Sequence, residues 1–150
     1  KERRYLRLAA ILHDVVDFIH FASHHKHTQY LIEHSELRGM SPVERLIVGC
    51  VARYHRRALP STKHQSYRAL DTAHRAVVRK LAAILRIADA LDREHLGKVK
   101  DVDARVGRDN VTLLVRGQGA IALEIWTVER KAALFEQALR KKVAIKVVAS

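Results

Sequence analysis

The apolar positions of this chain change their spacing once, near Gly97. Before it they recur at helical intervals, and after it they alternate. Leu6, Leu8, Ala9, Ile11 and Leu12 predict a first helix that ends near His13-Asp14. Asp17 to His27 is polar, aromatic and histidine-rich, and reads as a loop with a short helical turn. Thr28 to Ser35 predicts a short helix carrying Tyr30, Leu31 and Ile32, stopped before Gly39. Ser41-Pro42-Val43-Glu44 has the form of a capping box with proline at the first helical position. Val43, Leu46, Ile47, Cys50, Val51 and Tyr54 then share one face, so this helix should run to about Arg57 and stop before Pro60. Asp71-Thr72 can cap a long helix from about Ala73 to His95. Val77, Leu81, Ile84, Leu85, Ala88 and Leu91 supply its stripe, and Gly97 ends it.

Beyond Gly97, Val99, Val102, Ala104 and Val106 alternate with polar residues and predict a strand. Gly107-Arg108-Asp109-Asn110 is a turn, and Val111 to Val115 is a second strand. Gly117-Gln118-Gly119 is another turn. Ile121 to Trp126 reads as a third strand, with Trp126 in the core, and Glu129 to Leu139 as a helix through Ala132, Leu134, Phe135 and Leu139. Val143 to Val148 is the last strand. The expected fold is therefore mainly α: a helical domain over residues 1–96, then a small α+β subdomain, β-β-β-α-β, over 97–150.

Composition narrows the class. At 150 residues the chain can bury one good core, and a hydrophobic content of 48% excludes wholesale disorder. The apolar runs are far shorter than a membrane span, and no signal-peptide pattern opens the chain. Cys50 is the only cysteine, which forbids an intrachain disulfide and points to a reducing, cytoplasmic setting; its apolar surroundings mark it as a small core residue. Lys1-Glu2-Arg3-Arg4-Tyr5 runs straight into a helical pattern, as expected of a piece of a longer protein. Twenty-eight Lys+Arg against sixteen Asp+Glu give a net charge of +12. Such a field attracts polyanions: nucleic acid, anionic lipid or polyphosphate. Aromatic residues are only 5% and form no stacking platform, and no helix-turn-helix spacing is present, so nucleic acid is disfavoured.

The candidate chemistry lies in histidines and carboxylates set among apolar residues. His13-Asp14 closes the run Leu8-Ala9-Ala10-Ile11-Leu12, and Asp89 falls on or beside the buried stripe of the long helix. His27 precedes a short helix, and His55 follows Tyr54 on the capped one. Each has a structural reading. His13 can cap helix carbonyls with Asp14 opening a turn; Asp89 can pair with Arg86 or Arg93; His55 can be a solvated member of the basic run; His27 can be ordinary loop. Taken together, imidazole and carboxylate from separate helices are also what a metal site in a helical bundle needs.

His13-Asp14, His27, His55 and Asp89 resemble the residue set of the HD superfamily of metal-dependent phosphohydrolases. The stretches Ile11-Leu12-His13-Asp14, His24-His25-Lys26-His27, Tyr30-Leu31-Ile32, Arg53-Tyr54-His55-Arg56-Arg57-Ala58-Leu59-Pro60 and Leu85-Arg86-Ile87-Ala88-Asp89-Ala90-Leu91-Asp92-Arg93 resemble, more closely, the C-terminal half of the exopolyphosphatase / guanosine pentaphosphate phosphohydrolase (Ppx/GppA) family. The similarity runs over essentially the whole chain.

That resemblance implies an HD-like helical bundle whose first helix, with its histidine, has no counterpart here. It implies N-terminal actin-like catalytic domains beyond this chain, a cytoplasmic homodimer, and inorganic polyphosphate or guanosine pentaphosphate as the phosphate-rich partner. The basic contacts it suggests are His24, His25, Lys26, His27, Arg53, Arg56 and Arg57. The metal set it suggests is His13, Asp14, His27, His55 and Asp89, holding Mn, Mg, Fe or Zn. On this reading the chain binds polyphosphate and oligomerises without catalysing. The alternative is a metal-dependent HD-type phosphohydrolase acting through His13, Asp14 and Asp89.

Overall fold

The computed structural model describes residues 1–16 and 24–148, the side chain of His24 excepted. Its described residues form six helices and three strands in two compact units, Lys1–Leu85 and Arg86–Ser150. It is broadly α with a small β part, as the spacing of apolar positions implied.

In the first unit, α1 (Glu2–Leu12), α2 (His24–His34), α3 (Pro42–Arg53) and α4 (Gln65–Ala69) precede the long α5 (Thr72–Leu91), which continues into the second. Helix α3 is the centre of the unit and packs against α1, α2 and α4. Its start is the expected capping box: Glu44 N–H donates to Ser41 Oγ at 3.3 Å, and Ser41 N–H donates to Glu44 Oε2 at 2.8 Å. From Ile47 to Ala52 every residue is buried, so α3 is covered on all sides. Gly49 permits the close approach of α2, since a Cβ there would meet Glu33 Cγ at 3.0 Å and the Gln29 carbonyl at 3.4 Å.

Three boundaries differ from expectation. Helix α2 begins at His24, so His24 to His27 are helical; the rest of the segment read as a loop lies outside the described residues. Helix α3 ends at Arg53 rather than near Arg57. Tyr54 and His55 are both fully buried, and Tyr54 Oη lies 2.7 Å from His64 Nδ1 with its ring edge-on to Tyr67. Seating two consecutive large rings in the core takes the chain out of helical register, and Arg57 completes the bend at φ 53°. Helix α5 stops at Leu91, before the expected His95. Its buried stripe runs through Val78, Leu81, Ala82, Leu85 and Asp89, while Ala88 is exposed. Asp71 caps its start, accepting from His74 N–H at 2.7 Å.

The second unit holds β1 (Val99–Val106), β2 (Asn110–Gly117), α6 (Ala122–Leu139) and β3 (Lys142–Val147), with sheet order β1-β2-β3. Strands β1 and β2 form an antiparallel hairpin with Val102 opposite Val115 and Val106 opposite Val111. Strand β3 pairs parallel to β2, with α6 as the crossover. The tail is thus β-β-α-β, and the strand expected over Ile121–Trp126 is the beginning of α6. Burial shows why: Ile121, Glu124, Val128 and Phe135 are inside at helical spacing, while Leu123 and Trp126 face out. Trp126 is 48% exposed under the Arg130 guanidinium, 4.8 Å from the ring centre, and is not a core residue.

Candidate functional site

His13 follows the last residue of α1 as its C-cap, and residues 13–16 form a turn. The imidazole Nδ1–H donates to the Ala10 carbonyl at 2.8 Å. His55, two residues past α3, repeats the device: its Nδ1–H donates to the Ala52 carbonyl, also three residues back. A carbonyl only accepts, so both rings carry the Nδ1 proton and both turn Nε2 away from their own helix. The rings meet edge to face, 4.8 Å between centres.

Asp14 stands where the two Nε2 atoms point. Its Oδ2 is 3.1 Å from His13 Nε2, and its Oδ1 is 3.5 Å from His55 Nε2. His55 is fully buried, whereas His13 and Asp14 are partly open to solvent. Burial alone would raise the Asp14 pKa. The His13 hydrogen bond and the positive charges of His13, His55 and Arg56 outweigh it and hold the carboxyl at about 2. Among the described residues, His13, Asp14 and His55 form a group whose ligand atoms all lie within 4.8 Å of one another.

This donor set fits a cation. With Nδ1 protonated, a neutral imidazole brings only a lone pair to the Asp14 oxygens, so the contact is favourable only when a positive charge is shared. A proton meets that need, giving an imidazolium–carboxylate pair. A divalent ion on two imidazole nitrogens and one carboxylate oxygen meets it as well. Backbone-held Nδ1–H groups are the usual outer support of metal-bound histidines, since they fix tautomer and ring direction. The structural reading of His13 as a helix cap and its reading as a ligand are therefore compatible, because they use different nitrogens. The reading of His55 as a solvated residue is overturned by its burial.

The other expected residues take different places. His27 is exposed on α2 and lies outside the group. Asp89 is in the second unit, where it is nearly buried and accepts from Lys131 Nζ at 2.6 Å, with the Arg86 charge also acting on it. Lys131 carries no signal in the sequence, since it lies 42 residues from Asp89 and no local spacing links the two. Of the basic residues, Lys26 and Arg57 are exposed, Arg56 is half-buried, and His25 is buried. Arg53 is engaged inside, its Nη1 donating to Gln29 Oε1 at 2.7 Å and tying α3 to α2. The side chain of His24 lies outside the described residues.

The fold and site define a mainly helical protein with a small β part that sets two imidazoles and a carboxylate within ligand distance of one another. The sequence matches the family model for Ppx/GppA phosphatase, domain III, over residues 1–139, and the chain belongs to the Ppx/GppA phosphatase family. Among the described residues no helix is long and apolar enough to cross a membrane.

Proposed function

We propose that this chain is the polyphosphate-binding and oligomerising region of a Ppx/GppA-type exopolyphosphatase, an HD-like bundle with a small appendage, whose actin-like catalytic domains lie elsewhere. The observation that carries this is the cationic group around the end of α3. Arg56 and Arg57 directly follow His55, and the charge of Arg56 reaches Asp14. Lys26 and His27 are exposed on α2, which packs against α3. Guanidinium and ammonium groups on a chain of net charge +12 suit a row of phosphates, which recruits them as a nucleic-acid backbone does. Guanosine pentaphosphate offers the same chemistry over a shorter length. The test is the affinity of labelled polyphosphate across a salt series. Steep weakening with salt supports the reading, and salt-insensitive binding ends it.

A second reading rests on the histidine–carboxylate group. His13, Asp14 and His55 would hold Mn, Mg, Fe or Zn, and such an ion supplies Lewis-acid polarisation of a phosphate ester. The chain's own part is to keep both Nε2 lone pairs aimed at one point through the Ala10 and Ala52 carbonyls. Arg56 would offer a positive charge to the phosphate. Metal content of the purified chain, measured beside Asp14→Ala, tests it: near-stoichiometric metal lost in the variant supports the site, and none in either removes it.

A further inference from the structure

Strand β1 is the one element of the sheet exposed on both faces. Among the described residues it pairs with β2 on one side only, and every residue from Lys100 to Val106 is exposed. Its side chains separate cleanly from Asp101 onward. Val102, Ala104 and Val106 stand opposite Val115, Leu113 and Val111, which are buried, and so continue the apolar face past its cover. Asp101, Asp103 and Arg105 occupy the other face.

The hairpin shows which backbone groups remain available. Gly107 N–H donates to the Asn110 carbonyl at 2.8 Å, so Gly107 and Asn110 are a hydrogen-bonded pair. In an antiparallel ladder such pairs alternate, so Arg105, Asp103 and Asp101 bond inward to β2. Val102, Ala104 and Val106 then turn their N–H and C=O groups outward.

Those three residues constrain any strand that adds to this edge. For a second copy of β1 running antiparallel, the outward groups must face one another, which leaves few registers. Centring the pair on Asp103 sets Asp101 against the partner's Arg105 but also Asp103 against its own copy, a like-charge contact on the axis. Centring it on Arg105 sets arginine against arginine. Centring it on Ala104 sets Asp103 against the partner's Arg105, and Arg105 against the partner's Asp103. The same register joins Val102 to the partner's Val106 on the apolar face. Three facing pairs supply about six backbone hydrogen bonds.

We propose that the β1 edge is the seam of an isologous homodimer, pairing antiparallel about Ala104 through reciprocal Asp103–Arg105 contacts. This deepens the oligomerising half of the proposed function and rests on that half alone. Charged side chains on an edge strand normally discourage pairing; here their order makes the edge complementary to itself and to few others. Closure about one two-fold axis also ends growth at two copies, because each chain has a single β1.

The test is sedimentation of the full chain over a concentration series. The parent is expected to be a dimer. Arg105→Asp and Asp103→Arg each replace two attractive cross-strand pairs by two repulsive ones, so each should weaken self-association about tenfold or more, about 1.4 kcal/mol. Mixed in equal amounts they should associate as the parent does, because Asp–Arg pairing is restored at both positions. Ala104→Pro removes only an outward N–H, spares the ladder to β2, and should give a monomer with an unchanged circular dichroism spectrum. This variant decides the matter if Asp103→Arg, which also loses its Arg116 contact, fails to fold. A monomeric parent, or an Ala104→Pro or Arg105→Asp variant that dimerises like the parent, overturns the seam. Polyphosphate affinity measured on the same samples separates the two proposals: a monomer that binds leaves binding standing, and a dimer that does not bind leaves the seam standing.

Discussion

Replacing Arg57 by glycine separates polyanion binding from stability in a single change. Arg57 is exposed and holds φ 53°, a left-handed conformation that disfavours side chains with a Cβ. That conformation costs an L-residue roughly 1–2 kcal/mol, and glycine loses roughly 0.5–1 kcal/mol more chain entropy on folding. Arg57→Gly should therefore leave stability unchanged or raise it by up to about 1.5 kcal/mol, a melting shift of at most about 6 °C for a chain of this length. Binding should move the other way. Three lysine and arginine side chains, Lys26, Arg56 and Arg57, are open or half-open around the end of α3. If each releases about 0.7 of a counterion, log affinity falls with log salt at a slope of roughly −2, and raising salt from about 50 to about 200 mM weakens binding about 20-fold. With Arg57 removed the slope falls to about −1.4 and the loss to about sevenfold. Fluorescence anisotropy of labelled polyphosphate through a KCl series, with thermal melts of the same samples, reads both quantities. A parental slope in Arg57→Gly would refute the placement of Arg57 in the polyanion site. A melting temperature lowered by several degrees would refute the reading of its backbone.

Other expectations follow from contacts inside each unit. The Ser41 backbone N–H and the Tyr5 hydroxyl hold the Glu44 carboxyl below its ordinary 4.5, against the opposing effect of burial. A pKa lowered on folding stabilises the protein above the ordinary value, and that contribution is lost as pH falls through the lower folded value. Glu44→Gln should flatten the acid side of the melting-temperature curve, and superimposable parent and variant curves would count against the capping contact. Lys131→Met strands the nearly buried Asp89 carboxylate and should cost about 3 kcal/mol, the low end for a broken buried pair because Arg86 still faces it. Adding Asp89→Leu should recover most of that loss in urea unfolding; a double variant no better than the single would show that the pair is not the cause.

Local signals determined more of this protein than its short helices suggest. Ser41-Pro42-Val43-Glu44 specified the start of α3 because both capping hydrogen bonds join residues three apart. The hairpin of β1 and β2 was legible in the alternation around Gly107-Arg108-Asp109-Asn110, since a strand's faces repeat every second residue. His13, Asp14 and His55 stood out as polar groups in apolar surroundings, and the family was legible in the stretches around them.

Tertiary structure decided the rest, for one physical reason: burial acts on a face, and a face is chosen by what covers it. Ile121 to Trp126 satisfies a strand and a helix equally in sequence, and the burial of Glu124 and Val128 with Trp126 outside selects the helix. The end of α3 depends on the cavity that receives Tyr54 and His55, which no residue within α3 specifies. Asp89 was marked as a buried carboxylate by its own helix, but its partner Lys131 comes from α6. The Ala10 and Ala52 carbonyls that aim two imidazoles at Asp14 are backbone atoms present in every residue. Only the path of the chain at the ends of α1 and α3 places them three residues behind a histidine whose other nitrogen meets a carboxylate.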